Sequence, residues 1–268
     1  MKIKGVAIDL DGTLLNSNHK ISTYNKKVLK KLKKKGIKIM IATGRTYESL
    51  YKYKEELDLN SPVICYNGAK VMNGKTDEEI LEILLKNKCV EKMIKIARKF
   101  NVHLNLFAEK KWYVEEKREE VELYEKISGL KYHLIDFNEL DDKNIIKAMY
   151  VGEHEKLLKV EKELEQKIGN EIYKAFSRTF FLEVLALNVS KGNTVIKVME
   201  MEGIKAEEIM AFGDGFNDLE MLEKVGIGVV MENAPLELKE KISKKAKSND
   251  EDGVGVYLNK YFDLEIEK

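Results

Sequence analysis

The sequence predicts an α/β fold, with a Rossmann-like parallel-sheet core that is interrupted by an inserted α+β module. Three observations support this prediction. Short apolar runs alternate with amphipathic segments near both ends of the chain, which is typical of parallel strands connected by helices. Polar clusters directly follow several of these runs. The middle of the chain also alternates between strand and helix patterns, but no such cluster follows its strands.

Residues 1–81 contain the first half of the predicted core. Short, nearly unbroken apolar runs indicate buried strands at 4–10, 37–42 and 63–66. Helices are expected between them, from Ser22 or Thr23 to Lys35 and over 46–57. A serine or threonine suits the first position of the first helix, and Gly36 suits its end. This alternation indicates parallel strands with helices on both faces of the sheet.

Residues 187–268 show the same alternation of strand and helix patterns and form the second half of the predicted core. Helices are expected at 191–202, at 217–225 and near 254–262, and strands at 208–212 and 227–230. The stretch 235–246 is amphipathic, and Gly203 suits the end of the first of these helices.

The inserted module is predicted to span residues 82–186, so that the core is discontinuous and consists of 1–81 and 187–268. Within the module we expect strands at 103–108, 112–114, 145–151, 172–175 and 180–184. Helices are expected at 90–100, 116–127 and 155–168.

Composition argues against several classes of protein. The 268 residues carry a formal net charge of +1, although 35% of them are charged, so no global field attracts nucleic acid or an anionic membrane. No apolar run reaches the roughly 18 residues of a membrane span, and the run at 6–8 is too short for a signal peptide. The two cysteines, Cys65 and Cys89, lack the spacing of a disulfide framework. We therefore expect a cytoplasmic protein.

Acidic clusters follow one strand in each half of the predicted core. Asp9-Leu10-Asp11-Gly12-Thr13 ends the first strand, and Gly213-Asp214-Gly215-Phe216-Asn217-Asp218 follows the strand at 208–212. In an open α/β sheet, ligands bind at the carboxyl ends of the strands. One carboxylate of the first cluster can attack a substrate while the other transfers a proton or holds a metal. The oxygens of the second cluster are ligands of the kind that Mg²⁺ requires.

Two further clusters stand at the starts of predicted helices. Ala42-Thr43-Gly44-Arg45 offers a hydroxyl and backbone N–H groups that suit an anionic oxygen. Ser190-Lys191-Gly192 opens the helix at 191–202, where a lysine opposes the helix dipole, so a bound phosphate is one reason for its presence. Together the four clusters supply a nucleophile, a proton donor, oxyanion contacts and metal ligands, which are the components of phosphoryl transfer.

The four clusters resemble, in order and spacing, the motifs of the haloacid dehalogenase superfamily, and in particular those of its Cof-type phosphatases. Tyr66-Asn67-Gly68-Ala69 and Met231-Glu232-Asn233-Ala234 are similar to sequences of that subfamily as well. The resemblance covers nearly the whole chain. It implies a Mg²⁺-dependent phosphoric monoester hydrolase, and it identifies the inserted module with the C2-type cap, which covers the active site in the family.

The resemblance implies catalytic roles for four residues. Asp9 would attack phosphorus and become an aspartyl phosphate, and Asp11 would protonate the leaving alkoxide and then activate water. Thr43 and Lys191 would hold the phosphoryl oxygens, and Lys191 would also orient Asp9. An acid/base aspartate at this position fits a phosphatase, because the dehalogenases of the superfamily lack it.

The resemblance also implies a metal site and a phosphate pocket. Mg²⁺ would be bound by Asp9, Asp214 and the backbone carbonyl of Asp11, with Asp218 as a further metal residue, either directly or through water. The remaining candidate residues of the substrate pocket are Leu10, Gly12, Gly44, Arg45, Asn67 and Asn217.

The substrate that the resemblance implies is a small phosphorylated metabolite, such as a sugar phosphate, pyridoxal phosphate or another organic phosphate. Neither a nucleic acid nor a membrane is expected as a partner, and the oligomeric state, monomer included, stays open. Candidates to face the cleft from the cap are Trp112, Tyr113 and Arg178. Isolated histidines that we expect to be ordinary surface or packed residues are His103, His133 and His154.

Three other functions fit parts of this pattern. A sugar phosphomutase of the same superfamily shares the four clusters and the position of the cap. A phospho-accepting signalling protein, such as a receiver domain, also phosphorylates an aspartate beside Mg²⁺ and a lysine, but it is shorter and lacks the Asp-x-Asp-Gly-Thr sequence. A metal-dependent binding module without activity would lack one of the chemical groups, and none is missing from this sequence.

Overall fold

Strands and helices alternate along the chain in the computed structural model, which describes residues 2–108, 111–140 and 144–268. The strands are β1 (Gly5–Ile8), β2 (Lys38–Ile41), β3 (Val63–Cys65), β4 (Lys70–Met72), β5 (Glu79–Glu82), β6 (His103–Ala108), β7 (Lys111–Val114), β8 (Tyr132–Leu134), β9 (Lys147–Val151), β10 (Ile172–Arg178), β11 (Phe181–Ala186), β12 (Ile209–Gly213), β13 (Ile227–Met231) and β14 (Lys244–Ala246). The helices are α1 (Thr23–Lys34), α2 (Tyr47–Glu56), α3 (Asn87–Phe100), α4 (Glu119–Ser128), α5 (His154–Ile168), α6 (Lys191–Met201), α7 (Leu219–Lys224), α8 (Leu236–Lys241) and α9 (Gly253–Tyr261). Among these described residues, no helix combines the length and the apolar character that crossing a bilayer requires.

The core sheet consists of five parallel strands in the order β14-β13-β12-β1-β2. Strand β1, which lies between β12 and β2, is buried along its whole length because helices cover both of its faces. Val6 belongs to the same apolar cluster as Val28 of α1, whereas Ala7 belongs to a cluster with Val195 of α6. This arrangement confirms the predicted α/β fold with a parallel-sheet core.

Side-chain caps fix the first turns of three core helices. The hydroxyl oxygens of Ser22, Thr46 and Ser190 each accept a hydrogen bond from the backbone N–H three residues further along the chain. Each cap satisfies a donor that the helix itself leaves unpaired and is worth about 1 kcal/mol. Two of these helices begin beside predicted site residues, so the caps also hold those turns in place.

A second sheet follows in the middle of the chain, in the order β10-β11-β9-β6-β7-β8. Its neighbouring strands are antiparallel except for β7 and β8. One face packs on α3 and α5 through residues such as Leu106 and Tyr150. The opposite face carries Phe107 and Met149 and joins the apolar cluster of the core. The division into a core and a cap at 82–186, a range that includes residues outside the described part of the chain, stays a prediction.

Two short segments differ from the predicted elements. The strand at 63–66 is β3, which pairs antiparallel with β4 in a three-stranded sheet and contacts the core sheet through a single bridge between Ala42 and Ile64. The chain turns back there because Tyr66 and Asn67 adopt left-handed backbone conformations. The amphipathic stretch at 235–246 divides into α8 and the edge strand β14, which is too short to show a periodicity of its own.

Candidate active site

The predicted site residues converge at the carboxyl edge of the core sheet. Asp9 follows β1, Thr43 follows β2, Asp214 follows β12, and Lys191 begins α6. All four line one cavity, together with Asp11, Gly12, Gly44, Arg45, Asn217 and Asp218. Leu10 and Asn67 are buried outside the cavity lining. The side chain of Leu10 packs in the apolar core, and the amide of Asn67 bonds to the second sheet.

Lys191 joins two carboxylates at the bottom of this cavity. It is 1% exposed, and its Nζ donates to Oδ1 of Asp9 and to Oδ1 of Asp218, at 2.7 Å in each case. Burial disfavours the charged form of Lys191, but the two carboxylates outweigh it and raise its pKa above the ordinary value. Lys191 therefore stays cationic and holds one oxygen of Asp9 in a fixed position.

Burial and mutual repulsion raise the pKa values of two acids in the site. Burial acts most strongly on Asp9, and despite the opposing charge of Lys191 its pKa lies well above the ordinary value. Burial, followed by the charge of Asp218, raises the pKa of Asp214 to about 7. The cluster thus contains more carboxylates than Lys191 can neutralise, which is an electrostatic setting that favours a further cation.

The same carboxylates form a candidate metal centre. Asp9, Asp214 and Asp218 each place an oxygen within 4.8 Å of the others, and such oxygen donors fit Mg²⁺. Both oxygens of Asp218 are already engaged, because Oδ1 accepts from Lys191 and Oδ2 accepts from the backbone N–H groups of Asp214 and Gly215 at 3.0 Å each. Asp218 therefore shapes the loop, whereas Asp9 and Asp214 are better placed to hold an ion.

Gly12 leaves room for Asp214 in this centre. Its φ of +79° is a left-handed conformation, and a Cβ atom built at Gly12 would lie 2.2 Å from Oδ2 of Asp214. The hydroxyl of the next residue, Thr13, donates to Oδ1 of Asp214 at 2.8 Å. The turn after β1 thus requires glycine for its backbone and for the space that the carboxylate occupies.

Asp11 forms a two-point ion pair with Arg45. Nε of Arg45 donates to Oδ2 of Asp11 at 2.6 Å, and Nη2 donates to Oδ1 at 2.7 Å. Burial raises the pKa of Asp11, but the hydrogen bonds and charge of Arg45 outweigh it, and the resulting pKa lies below the ordinary value. Asp11 is therefore a carboxylate in this conformation. The sequence places Arg45 in the correct turn but does not identify its partner.

The turn after β2 is fixed by its own hydrogen bonds. The buried hydroxyl of Thr43 accepts from the backbone N–H of Arg45 at 3.2 Å. The carbonyl of Thr43 accepts from the backbone N–H of Asn67 at 2.9 Å. These bonds hold the Thr43 hydroxyl and the Gly44 backbone at the edge of the cavity, where they can contact an anionic oxygen.

A buried ion pair that sequence reasoning missed connects the second sheet to this turn. Nζ of Lys147 donates to Oε2 of Glu183 at 2.9 Å and to the carbonyl of Gly44 at 3.0 Å. Nδ2 of Asn67 also donates to Oε2 of Glu183, at 2.8 Å, and Oδ1 of Asn67 accepts from Asn217 at 3.1 Å. The available signal was a charged residue next to apolar ones in each of two strands, Lys147 at the start of β9 and Glu183 inside β11.

The cavity has a volume of about 900 Å³ and is lined by both sheets and their loops. Of the three cap candidates, Arg178 lines it. Trp112 is buried and stacks on Phe107, and Tyr113 packs with the cluster on the opposite face of the sheet. His154 also lines the cavity, and its Nδ1 lies 2.8 Å from the carbonyl oxygen of Thr179. His103 in β6 and His133 in β8 do not line it.

Known proteins resemble this chain over most of its length. A family model described as haloacid dehalogenase-like hydrolase matches residues 6–258. The HMP-PP phosphatase of Yersinia pestis is 31% identical over 236 residues, which are 88% of this chain and 86% of that protein. A haloacid dehalogenase-like hydrolase from Bacteroides thetaiotaomicron has a TM-score of 0.85 at 29% identity and covers 97% of this chain and 100% of its own. A sugar phosphatase of subclass IIB has a TM-score of 0.86 at 26% identity, covering 97% and 99%. The chain therefore belongs to the haloacid dehalogenase-like hydrolase family.

Proposed function

We propose that this protein is a Mg²⁺-dependent phosphatase that hydrolyses small phosphorylated metabolites through a phosphorylated Asp9. The observation that carries the proposal is the group formed by the buried Asp9 and Lys191 and the half-buried Asp214 in a cavity large enough for a small metabolite. The names of relatives support the reaction, since one is an HMP-PP phosphatase and another a sugar phosphatase.

In the first half-reaction, Asp9 attacks the phosphorus atom of the substrate. Lys191 binds Oδ1 of Asp9, which leaves Oδ2 for the attack. A bond forms between this oxygen and phosphorus while the bond from phosphorus to the leaving oxygen breaks. Lys191, the Thr43 hydroxyl and the backbone of the Gly44 turn hold the phosphoryl oxygens as their charge is redistributed. The product of this step is an aspartyl phosphate.

Asp11 transfers the protons. It gives a proton to the leaving alkoxide in the first step. In the second step it takes a proton from a water molecule whose oxygen bonds to phosphorus, while the bond from Oδ2 of Asp9 to phosphorus breaks and inorganic phosphate leaves. A protonated carboxyl group has only one full acceptor oxygen, so it does not fit the two-point bond with Arg45. Asp11 therefore acts as the acid after Arg45 has released at least one of its oxygens, and a phosphate entering the cavity offers the guanidinium another partner.

Asp9, Asp214 and the backbone carbonyl of Asp11 would hold Mg²⁺. When bound, the ion would neutralise charge on the phosphoryl oxygens and relieve repulsion among the acids. Asp218 supports this centre by fixing the backbone N–H groups of Asp214 and Gly215. This arrangement fits the raised pKa of Asp214, because a nearby cation favours its carboxylate form.

The proposal is tested by phosphate release. The purified protein should hydrolyse p-nitrophenyl phosphate in the presence of Mg²⁺, lose that activity in EDTA, and release inorganic phosphate from members of a panel of phosphorylated metabolites. Isomerisation of a sugar phosphate without phosphate release would identify a mutase instead. If no turnover occurred over a range of pH values and divalent metals, the proposed function would be wrong.

A further inference from the structure

Lysine and arginine side chains line the cavity at five positions. Four of them have carboxylate partners: Lys191 pairs with Asp9, Arg45 with Asp11, Lys147 with Glu183, and Lys174 with Glu165. The side chain of Arg178 forms no ion pair or hydrogen bond with any residue in the described part of the chain. Its charge and its planar set of donors are therefore available to a ligand.

Arg178 lies where the leaving group of a substrate would extend. It is the last residue of β10, at the turn into β11, and the pairing of these strands is irregular between Phe176 and Arg178. It lines the cavity from the second sheet, whereas Asp9 and Lys191 line it from the core sheet and α6.

The transferring phosphoryl group does not need Arg178. In the proposed function that group is bound by Lys191, by the turn that contains Thr43, and by the metal centre at Asp9 and Asp214. The guanidinium of Arg178, which lines the cavity from the second sheet, is left for the remainder of the substrate. Guanidinium groups bind phosphate and carboxylate groups through two parallel hydrogen bonds.

We propose that Arg178 binds a second anionic group, a phosphate or a carboxylate, on the leaving group of the substrate. This inference rests on the proposed function and narrows its substrate class to phosphorylated compounds with two anionic groups. Arg178 is then a specificity-determining residue. Its contact would not depend on which phosphate ester is cleaved, but it would discriminate against compounds that carry one phosphate and otherwise only hydroxyl groups.

The experiment measures two ratios of kcat/KM with Mg²⁺ present. In the first, the value for fructose 1,6-bisphosphate is divided by the larger of the values for fructose 1-phosphate and fructose 6-phosphate. In the second, the value for 6-phosphogluconate is divided by the value for glucose 6-phosphate. We expect at least one ratio to favour the compound with two anionic groups by roughly 10-fold to 100-fold, the range for one charge-assisted contact. A preference in the first pair identifies a phosphate, and one in the second pair identifies a carboxylate. Arg178→Ala should bring the favoured ratio close to one.

Lys174→Ala is the matched control. Lys174 lies on the same strand and lines the same cavity, but Glu165 already pairs with it, so its removal should leave the ratio unchanged. The inference is wrong if the wild-type protein shows no preference in either pair, if Arg178→Ala keeps the preference, or if Lys174→Ala lowers it equally. Hydrolysis of p-nitrophenyl phosphate, which has no second anionic group, tests the proposed function separately from this inference.

Discussion

The buried pair of Lys147 and Glu183 predicts a loss of stability that depends on which partner is removed. Their side chains are 3% and 7% exposed. Lys147→Met removes the ammonium group, keeps an unbranched stem, and leaves Glu183 as a buried carboxylate with a hydrogen bond from Asn67. Removing one partner of a buried ion pair costs about 3–5 kcal/mol. Because the adjacent cavity admits water, we expect a loss of about 3 kcal/mol in the free energy of unfolding.

The double variant Lys147→Met/Glu183→Gln should recover most of this loss. A glutamine at position 183 matches the length of the glutamate and still accepts the hydrogen bond of Asn67, and no charge stays buried. The carbonyl of Gly44 loses its bond from Lys147, which costs about 1 kcal/mol. The double variant should therefore be about 2 kcal/mol more stable than Lys147→Met alone.

Urea unfolding at equilibrium measures these differences, and thermal unfolding provides a check at roughly 2–4 °C per kcal/mol. Lys174→Met serves as the control, because its pair with Glu165 is 17% and 63% exposed, and surface pairs contribute less than about 1 kcal/mol. The prediction is wrong if Lys147→Met lowers the free energy of unfolding by no more than Lys174→Met does. It is also wrong if the double variant is no more stable than Lys147→Met.

Three further predictions concern the active site. Asp9→Asn should lower kcat for p-nitrophenyl phosphate by roughly 10³-fold or more because the nucleophile is lost; near-normal turnover would remove Asp9 from that role. The pKa of Asp214, raised to about 7 in the fold, lies above its unfolded value, so its contribution to stability is present below about pH 4 and lost as the pH rises through 7. The melting temperature in EDTA should therefore fall from pH 5 to 8, and Mg²⁺ should restore it at pH 8; a rising profile would contradict this. Gly12→Ala and Gly36→Ala strain similar left-handed backbones, which costs about 1–2 kcal/mol of stability in each variant. Only the Cβ at position 12 meets a carboxylate, so Gly12→Ala should lose more stability than Gly36→Ala and should alone weaken Mg²⁺ binding, by 10-fold or more, in a titration.

The sequence predicted the location of the candidate site because parallel strands impose a simple geometry. Every strand of such a sheet ends at the same edge, so polar residues just beyond β1, β2 and β12 must be neighbours whatever separates them along the chain. The starts of helices were predictable for a local reason, since Ser22 and Thr46 cap turns only three residues away. The residues whose position depends on these two rules are Asp9, Thr43 and Asp214.

These two rules do not predict which side chains from different elements form hydrogen bonds or ion pairs with one another. Asp11 and Arg45 were expected near one another, but their two-point bond depends on side-chain conformations that no periodicity encodes. Lys147 and Glu183 were not predicted as site residues, because their pairing requires knowing that β9 and β11 are neighbours. The edge strand β14 was missed for a different reason, because its three residues are too few to show a pattern.

The positions of the four arginines bear on which substrate the cavity can bind. The chain has arginine at only four positions. Arg98 pairs with Glu115 and Arg118 with Glu116, both away from the cavity, whereas Arg45 and Arg178 line it. Arg45 is already paired with the carboxylate of Asp11, so a substrate anion that binds Arg45 must replace that carboxylate. Arg178 has no partner in the described chain to give up, and an anion that reaches it gains a contact without breaking one. For this reason the contribution to affinity from the second sheet should come from Arg178, while Arg45 should govern when Asp11 can transfer its proton.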